Sequence, residues 1–356
     1  MRILHSYCLN HNVGDYYLGI GVKNLLRKFL PVELIAENNL QGTKYDRYYI
    51  TEVINKKYDL LVIGGGGIIH GAHWPNGWFW LIEQELIKHI NIPFIIYGVG
   101  YNYFEDEDGI PEVGISHLKE TILRSCFFSV RNDGSESRFK NSVNVDIDVV
   151  PDPGFHINLD RNYICSETEP YVILQLAYDK PDHRLGGAAN IGDFVREIRE
   201  VCLSLSKTYK VVLAPHVYED IKLSEEVIEG VPNAYIWDFH KYAFDRCEES
   251  IGYYQDAHFV IAMRGHGQII PFAFNTPVIA LQNHPKHLGL MQNLGLEDYS
   301  IRCDSENLST KILGLIENLE DNYTSYVSSL KSSNNRLWKE TNNAFNRIRK
   351  ILDILC

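Results

Sequence analysis

An arginine and a histidine between glycines form the most suggestive chemical segment of this sequence. Residues 264–267, Arg-Gly-His-Gly, follow a buried apolar run, and Lys286 lies in a later loop. Guanidinium, imidazole and ammonium groups bind phosphate and carboxylate through charge-assisted hydrogen bonds. An Arg-x-His pattern at a strand end has little structural use. Arg264, His266 and Gly267 therefore predict a site for a phosphorylated or carboxylated ligand.

A second polar turn follows the amino-terminal strand and contains Asn12, Gly14 and Asp15, directly before a helical pattern. Such a turn places backbone N–H groups and a carboxylate at the carboxyl edge of a parallel sheet, where ligands bind. Asp15 is therefore a candidate general base, and Asn12 is a candidate contact for a hydroxyl-bearing substrate. A helix-capping role for Asp15 is the equally simple alternative.

Four consecutive glycines, residues 64–67, end a buried apolar run. They admit close approach of a ligand to the backbone, so Gly65 and Gly66 are candidate substrate contacts. A tight turn without a ligand is the alternative. The run lacks the Gly-Lys-Ser/Thr of a P-loop and the GxGxxG spacing of a dinucleotide fold.

An aromatic loop, HGAHWPNGWFW, comes soon after these glycines. Trp78 offers a ring for stacking on the apolar face of a sugar, and His70 offers hydrogen bonds to sugar hydroxyls. His70 and His73 have HxxH spacing, but no third ligand stands at a convincing distance. No metal site is therefore predicted.

A third strand-to-helix turn contains Arg131, Asn132, Asp133 and Ser135. Arg131 is a candidate anion ligand, and pairing with a carboxylate of the protein itself is the alternative. Asp152, further on, lies between two prolines that stiffen its turn and fix its carboxylate.

Short apolar runs alternate with helical patterns, which is typical of βαβ units and a mainly parallel α/β sheet. In the first half we predict strands over 2–5, 60–63, 94–99, 126–130 and 147–150 and helices over 16–29 and 78–89. In the second half we predict strands over 171–176, 210–214, 259–262 and 276–281 and a helix over 191–206.

The chain of 356 residues exceeds what one hydrophobic core usually supports, which favours two domains. A polar stretch over 158–169 predicts the linker. We expect domains over 1–160 and 161–325 and a helical segment over 326–356. Residues 332–356 have the pattern of an amphipathic helix with a basic end. This pattern predicts packing on the first domain, with contact to an acidic membrane surface as the alternative.

Charge and composition exclude several classes of protein. Lys and Arg total 34 against 46 Asp and Glu, and the net charge of −12 disfavours binding to nucleic acid. The seven cysteines contain no CxxC pair, which disfavours a disulfide framework and a zinc site. The sequence has neither a signal-peptide pattern nor a long apolar segment, so we predict a cytoplasmic protein.

Taken in order, these segments resemble the polysaccharide pyruvyl transferase family. The resemblance covers about residues 1–300 and rests on NVGD, DLLVIGGGGIIH, IPFIIYGVG, SVRNDGS, the DPGF turn and the block FVIAMRGHGQIIPFAFNTPVIALQNHPKHLGLMQNLGL. The order and spacing of these pieces are specific. The sequence departs from the family pattern at Asn132, where an Asp is usual, because Asp133 is displaced by one position.

The resemblance implies two Rossmann-like domains facing across a cleft, as in GT-B glycosyltransferases, with a C-terminal helix crossing back. It also implies transfer of pyruvate from phosphoenolpyruvate to a saccharide hydroxyl pair as a ketal, in cell-surface polysaccharide biosynthesis such as that of a capsule. No cofactor or metal is expected. The expected donor ligands are Arg264, His266, Gly267, Arg131 and Lys286, and the expected acceptor contacts are Asn12, Gly65, Gly66, His70 and Trp78.

His266 is the expected acid, which protonates the methylene carbon of the donor, and Asp15 is the expected base. The acceptor is expected to be lipid-linked or nucleotide-linked, with peripheral contact to the inner face of the membrane. Two other functions stay open: a GT-B glycosyltransferase that uses a nucleotide sugar, and a non-catalytic saccharide-binding protein, which the departure at Asn132 leaves open.

Overall fold

The computed structural model describes residues 1–9, 12–71, 74–102, 109–158, 163–179, 181–184, 191–242 and 245–355. The chain divides into two compact units, each built on a six-stranded sheet. The first unit contains Met1–Asn10, Asp15–Ile157 and Arg336–Cys356, and the second contains His11–Gly14 and Asn158–Asn335. The predicted α/β class with two Rossmann-like sheets is confirmed.

The sheet of the first unit is parallel. Its strands are β1 (Arg2–Tyr7), β2 (Leu34–Asn39), β3 (Leu60–Ile69), β4 (Phe94–Tyr101), β5 (Phe127–Arg131) and β6 (Asp148–Val150). Their order across the sheet is β2-β1-β3-β4-β5-β6. The central strands β3 and β4 are buried along nearly their whole length, as is typical of a parallel sheet covered on both faces.

Several helices accompany this sheet. They are α1 (Val13–Phe29), a π-helical segment (Tyr49–Ile54) that leads into α2 (Asn55–Lys57), α3 (Glu112–Arg124) and α4 (Ser135–Val143), with 3₁₀ turns at Gln84–His89 and Pro153–His156. Asp152 caps the second 3₁₀ turn, because its Oδ1 accepts a hydrogen bond from the N–H of Gly154 at 2.8 Å. The two flanking prolines predict that this carboxylate is fixed, and its capping bond agrees with that prediction.

The sheet of the second unit reverses its direction of growth part of the way through. Its strands are β7 (Tyr171–Gln175), β8 (Lys210–Leu213), β9 (Ala234–Ile236), β10 (Val260–Ala262), β11 (Val278–Gln282) and β12 (Ser300–Arg302). Their order is β12-β11-β10-β7-β8-β9, with parallel pairing throughout. The chain therefore builds outward from β7 in one direction and then, from β10, in the other. The carboxyl ends of β7 and β10 mark the switch point at which such sheets bind ligands.

The helices that follow the first strand of the second unit are α5 (Pro181–Arg184), α6 (Ile191–Leu205), α7 (Glu219–Ile228), α8 (Phe239–Tyr242), α9 (Cys247–Asp256), α10 (Gly265–Ala273), α11 (Pro285–Leu294), α12 (Leu308–Asp321) and α13 (Tyr323–Leu355), with a 3₁₀ turn at Glu297–Tyr299. In α6 the buried side chains recur at helical spacing, among them Phe194, Ile198 and Cys202. This apolar stripe explains why the helix was predicted closely.

The last part of α13 belongs to the first unit. The ring of Phe345 stacks on Phe29 with a centroid distance of 4.8 Å and lies 5.1 Å from the ring of Tyr97. The hydroxyl of Thr341 lies 2.8 Å from Nε2 of the buried His156. Residues 332–355 of the predicted helix thus lie within the longer α13, whose apolar side chains complete the core of the first unit. Cys356 lies outside the described residues.

The predicted helix over 78–89 is wrong in its first half. Trp78 pairs with Ile69 in an isolated antiparallel bridge, and helical turns begin only at the 3₁₀ segment Gln84–His89. Trp78, Trp80 and Ile82 are all buried. Their spacing of two is that of extended chain rather than of a helix.

Candidate active site

The switch point of the second sheet joins the ends of β7 and β10. Gln175 ends β7, and its Oε1 accepts a hydrogen bond from the backbone N–H of Arg264 at 2.7 Å. Gly267 permits this contact, because a Cβ on it would lie 2.8 Å from the same oxygen. Arg264 is thereby fixed as the residue before α10, whose first N–H groups favour anions.

Asp220 holds the guanidinium of Arg264. The Nε–H of Arg264 donates to Oδ2 at 2.8 Å and its Nη2 group donates to Oδ1 at 2.6 Å. Asp220 is fully buried in the first turn of α7 and also accepts bonds from the backbone N–H groups of Tyr178, His216 and Val217 at 2.9, 3.1 and 3.2 Å. One carboxylate thus ties the loops after β7 and β8 to Arg264.

A second carboxylate, Asp179, joins Arg264 to Arg184. Its Oδ1 accepts from Arg264, and its Oδ2 accepts from Arg184 at 2.7 Å. Arg184 also donates to Oδ1 of Asn283, just beyond β11, at 3.3 Å. The side chain of Asp179 is 35% exposed, whereas that of Asp220 is 0% exposed. Two guanidinium groups and two carboxylates therefore form one cluster, and Asp179 is its most exposed member.

The opposite charges of this cluster stabilise the ionised forms of Arg264 and Asp179. Burial opposes the charge of Arg264, but Asp220 and Asp179 outweigh burial and hold the pKa of Arg264 above its ordinary value. Burial likewise opposes ionisation of Asp179, but Arg264 and Arg184 hold the pKa of Asp179 well below its ordinary value. Burial and the neighbouring Arg264 lower the pKa of Arg184. Two of the four groups thus become harder to neutralise than in water.

His266 lies in the first turn of α10. Within the second unit, to which residues 11–14 belong, a Cβ on Gly14 would lie 2.3 Å from Nδ1 of His266, so a glycine is needed there. A Cβ on Gly265 would make an ordinary contact of 3.6 Å with Cε of Lys286. The predicted donor residues Arg264, His266, Gly267 and Lys286 therefore lie around the start of α10. Their role in binding stays a prediction.

A second histidine at this edge, His216, has a different environment. Burial and then the positive charge of Arg264 lower the pKa of His216 to about 3. Its Nε2 lies 2.6 Å from the hydroxyl of Tyr254. A neutral, fully buried imidazole is a poor proton donor at neutral pH, so His216 is a poor candidate for the acid.

In the first unit, Arg131 is bound to carboxylates of the protein itself, the alternative that the sequence left open. Its Nε–H donates to Asp133 at 2.6 Å and an Nη1 hydrogen donates to Asp152 at 3.0 Å. All three side chains are buried. Asp133 and Asp152 outweigh the effect of burial and hold the pKa of Arg131 above its ordinary value. In this arrangement the guanidinium serves the fold, which argues against Arg131 as a donor ligand.

The departure from the family pattern at Asn132 has a structural explanation. Asp133, displaced by one position, accepts from Arg131 and from the N–H of Ser135, the latter at 3.1 Å. The Oδ1 of Asn132 accepts from the backbone N–H of Asp152 at 3.0 Å. The Asn–Asp pair thus anchors both Arg131 and the turn at Asp152.

The glycine run lies inside β3 rather than after it. Gly64, Gly65 and Gly66 have φ values of 128°, 54° and 100°, which side-chain-bearing residues rarely adopt. A Cβ on Gly65 would lie 1.6 Å from Cδ2 of Leu18 on α1. Gly65 therefore serves the close packing of α1 on β3, which is the structural alternative for this residue.

Asp15 stands beside the backbone of Gly66, because a Cβ built on Gly66 would lie 3.4 Å from Oδ1 of Asp15. Oδ1 of Asn12 accepts from the N–H of Gly14 at 2.9 Å, so Asn12 rather than Asp15 fills the capping position at the start of α1. Asp15 and Gly66 stay candidates for contact with a substrate.

The aromatic loop is packed inward. Trp78 is 0% exposed, and its indole N–H donates to Nδ1 of the buried His117 at 3.1 Å. A fully buried ring offers no face to a sugar, so the structure corrects the prediction that Trp78 stacks on the acceptor. His70 is half-buried and stacks on Phe79 at 4.4 Å. His73 lies outside the described residues.

Sequence reasoning missed the two carboxylates that define the surroundings of Arg264. Asp220 opens a helix in an ordinary way, and Asp179 lies in a polar stretch after a strand. Neither position carries a sequence signal that separates it from a solvent-exposed acid. Their roles depend on which loops the sheet order brings together.

The described part of the chain contains neither a metal-binding cluster nor a helix that could span a membrane. No cluster of three or more His, Cys, Asp or Glu side chains there is arranged to hold a metal ion. In the same part of the chain, no helix combines the length and the apolar character needed to cross a membrane.

The family model of polysaccharide pyruvyl transferases matches residues 12–285, well over half of the chain. No protein of curated function shows significant sequence similarity to this chain.

Two solved structures of UDP-N-acetylglucosamine 2-epimerases, one of them putative, share the two-sheet, GT-B-like fold. A putative UDP-N-acetylglucosamine 2-epimerase from Listeria monocytogenes is 12% identical with a TM-score of 0.58, over 98% of this chain and 94% of that one. The Neisseria meningitidis UDP-GlcNAc 2-epimerase bound to UDP-GlcNAc is 13% identical with a TM-score of 0.57, over 99% of each chain. At such identities the likeness shows the fold alone.

A mutant of S. aureus TarM in complex with Fondaparinux, alpha-GlcNAc-glycerol and UDP is 12% identical with a TM-score of 0.51. The similarity covers 86% of this chain, which spans 57% of the length of TarM.

Proposed function

This chain belongs to the polysaccharide pyruvyl transferase family and is a transferase, and from that premise we propose that it moves pyruvate from phosphoenolpyruvate to a pair of saccharide hydroxyls as a cyclic ketal. The observation that carries the proposal is the position of Arg264. It lies at the switch point of the second sheet, before the N-terminus of α10 and near His266 and Lys286. Phosphoenolpyruvate has a phosphate and a carboxylate, and the guanidinium, imidazole and ammonium groups at this edge are hydrogen-bond donors that suit both.

The residues suit the chemistry of ketal formation. His266 gives a proton to the methylene carbon of the donor, which makes the neighbouring carbon electrophilic. One sugar hydroxyl then adds to that carbon. A second hydroxyl displaces inorganic phosphate and closes the ring. A base takes the two hydroxyl protons in turn, and Asp15 is our candidate for it. One of these protons restores His266 through solvent, and the other leaves with phosphate as hydrogen phosphate.

We place the donor on the second unit and the acceptor on the first. On the acceptor side Asp15 and Gly66 have the strongest support, since Asn12 is engaged in a capping bond and Gly65 in helix packing. We propose a saccharide of a capsule or another cell-surface polysaccharide as the acceptor, carried on a lipid or a nucleotide.

A membrane-borne acceptor would suit a protein that touches the cytoplasmic face of the membrane. Arg349 and Lys350 are exposed near the end of α13, and the aliphatic side chains of Ile354 and Leu355 are exposed beside them. Basic and apolar side chains in this combination favour contact with an anionic bilayer.

Transfer of a sugar from a nucleotide sugar is the second candidate function, and the fold likeness to proteins solved with UDP or UDP-GlcNAc favours it. One experiment separates the candidates. Purified protein is incubated with candidate acceptors and either phosphoenolpyruvate or a UDP-sugar, and release of phosphate or UDP is followed. We expect acceptor-dependent release of phosphate and an acid-labile pyruvyl group on the product.

The matched variant for this assay is His266→Gln, which keeps a hydrogen-bond donor of similar size but delivers no proton. We expect it to lose most turnover while still binding phosphoenolpyruvate, because only the proton transfer is removed. Wild-type turnover and pH profile in His266→Gln would place the acid elsewhere. Release of UDP instead of phosphate by the unmodified protein would support the second candidate, and release of neither would favour a saccharide-binding protein.

A further inference from the structure

The two carboxylates on Arg264 differ in how firmly the rest of the protein holds them. Asp220 has no exposed surface and accepts five hydrogen bonds, two from Arg264 and three from backbone N–H groups. Asp179 is 35% exposed, and its carboxylate oxygens contact the guanidinium groups of Arg264 and Arg184. Withdrawal of Asp220 would leave buried backbone donors unsatisfied, which is costly. Among the described residues, withdrawal of the Asp179 carboxylate would uncover two guanidinium groups and no backbone N–H group.

From this difference we infer that Asp220 is the permanent partner of Arg264 and that Asp179 is an exchangeable one, which competes with the anionic group of the donor for Arg264 and Arg184. Asp220 is then a positioning residue, since it acts through Arg264. Asp179 sets the affinity of Arg264 and Arg184 for the anionic group of the donor, since each anion that binds must first replace the Asp179 carboxylate. The inference rests on the proposed function in one point, that the donor's anion binds at Arg264.

The charges of the cluster explain the direction of the effect. Arg264, Arg184, Asp179 and Asp220 together carry no net charge. An anion that approaches meets a neutral group whose outermost member is itself an anion. When Asp179 turns away, the remaining three groups carry one positive charge, and the anion gains two guanidinium partners. Removal of the Asp179 charge should therefore strengthen binding, which is the opposite of what loss of an ordinary site residue does.

The test is calorimetric titration of phosphoenolpyruvate and of inorganic phosphate into the full chain and its variants. We expect Asp179→Asn to lower the Kd for both anions about tenfold, which corresponds to roughly 1.4 kcal/mol. The control is Asp256→Asn, which removes the same charge from an exposed residue at the end of α9. It should leave both Kd values within about twofold, because exposed charges at a distance are screened. Unchanged or weaker anion binding in Asp179→Asn would overturn the inference.

The positioning role of Asp220 has its own readout. In Arg264→Ala, added guanidinium ion should restore part of the binding of phosphoenolpyruvate, because Asp220 still presents both oxygens to a guanidinium. In the double variant with Asp220→Asn it should restore none, and equal rescue in both would overturn the role of Asp220. The proposed function fails in a different way: the unmodified protein would bind phosphate, more tightly in Asp179→Asn, yet transfer no pyruvyl group.

Discussion

The two units each contain an arginine at the carboxyl edge of the sheet, and the two arginines differ in their partners. Arg131 ends β5, and Arg264 directly precedes α10. Both are buried, and both contact two carboxylates. The two partners of Arg131 are at most 5% exposed, whereas Asp179, one of the two partners of Arg264, is 35% exposed.

This difference separates a structural ion pair from a candidate ligand site. A carboxylate sealed inside the protein cannot leave its cation without a large desolvation cost. A partly exposed carboxylate can turn into water. The same sequence feature, an arginine after a buried strand, therefore forms a buried ion pair in one unit and is our proposed ligand for the donor in the other.

The largest effect on stability should follow from breaking the buried cluster of Arg131, Asp133 and Asp152. Arg131→Met leaves Asp133 and Asp152 buried without their cation, so we expect the free energy of unfolding to fall by about 3–5 kcal/mol. Urea unfolding followed by tryptophan fluorescence measures this, because four of the five tryptophans, Trp74, Trp78, Trp80 and Trp338, belong to the first unit. Binding of phosphoenolpyruvate by the folded variant should be unchanged.

The control for this variant is Arg347→Ala. Arg347 makes a bidentate bond to Asp148, at 2.6 and 2.9 Å, but its side chain is largely exposed. We expect its loss to cost about 1 kcal/mol or less. If Arg131→Met were as stable as Arg347→Ala and lost donor binding, Arg131 would be a ligand after all.

The second prediction concerns how the stability of the first unit depends on pH, through the buried His156. The turn that Asp152 caps ends at His156, and burial lowers the pKa of His156 to about 3. Between that value and about 6.5 the unfolded chain binds a proton that the folded protein does not, so stability falls as the pH drops through this window. His156→Gln should reduce the loss between pH 7 and pH 4 by about 3 kcal/mol. The measurement is urea unfolding at both pH values. Equal acid sensitivity in the two proteins would contradict the prediction.

The third prediction concerns Arg264 and its cluster with Arg184, Asp179 and Asp220, of which Asp179 is the most exposed member. Arg264→Lys keeps the charge but loses the fork that matches Asp220 and an incoming anion. Loss of one charge-assisted hydrogen bond costs about 1.5–3 kcal/mol, so kcat/KM for phosphoenolpyruvate should fall by roughly one to two decades. Steady-state phosphate release measures this. Unchanged turnover would remove Arg264 from the site.

The sequence predicted the central strands and the edge strand β6, but it missed the edge strands β2, β9 and β12, for a physical reason. The strands predicted over 60–63 and 94–99 begin where β3 and β4 begin, because buried parallel strands are continuous apolar runs. The strand β2 is partly exposed, and β9 and β12 have three residues each. Such strands carry no apolar run and depend on pairing with a neighbour, which a single sequence does not reveal.

For the candidate site, the sequence located Arg264 and His266 but not their surroundings. The glycines and the apolar run before them mark a strand end, which is a local signal. Asp220 reaches Arg264 because β7 lies between β8 and β10 in the sheet, and that order is a long-range property. The prediction that Trp78 contacts a sugar was wrong because the local signal is ambiguous. An aromatic loop beside glycines suits a sugar site and a hydrophobic core equally well, and Trp78 is buried.

The path of the chain through the two units also bears on how the protein is made. Residues 158–335 of the second unit are synthesised without interruption, whereas the first unit is complete only when Arg336–Cys356 has been added. Until Phe345 emerges from the ribosome, Phe29 and Tyr97 lack the ring that covers them in the folded state. The first unit, although it begins first, therefore finishes last, and until then its complete sheet keeps apolar side chains exposed that can associate wrongly with other chains.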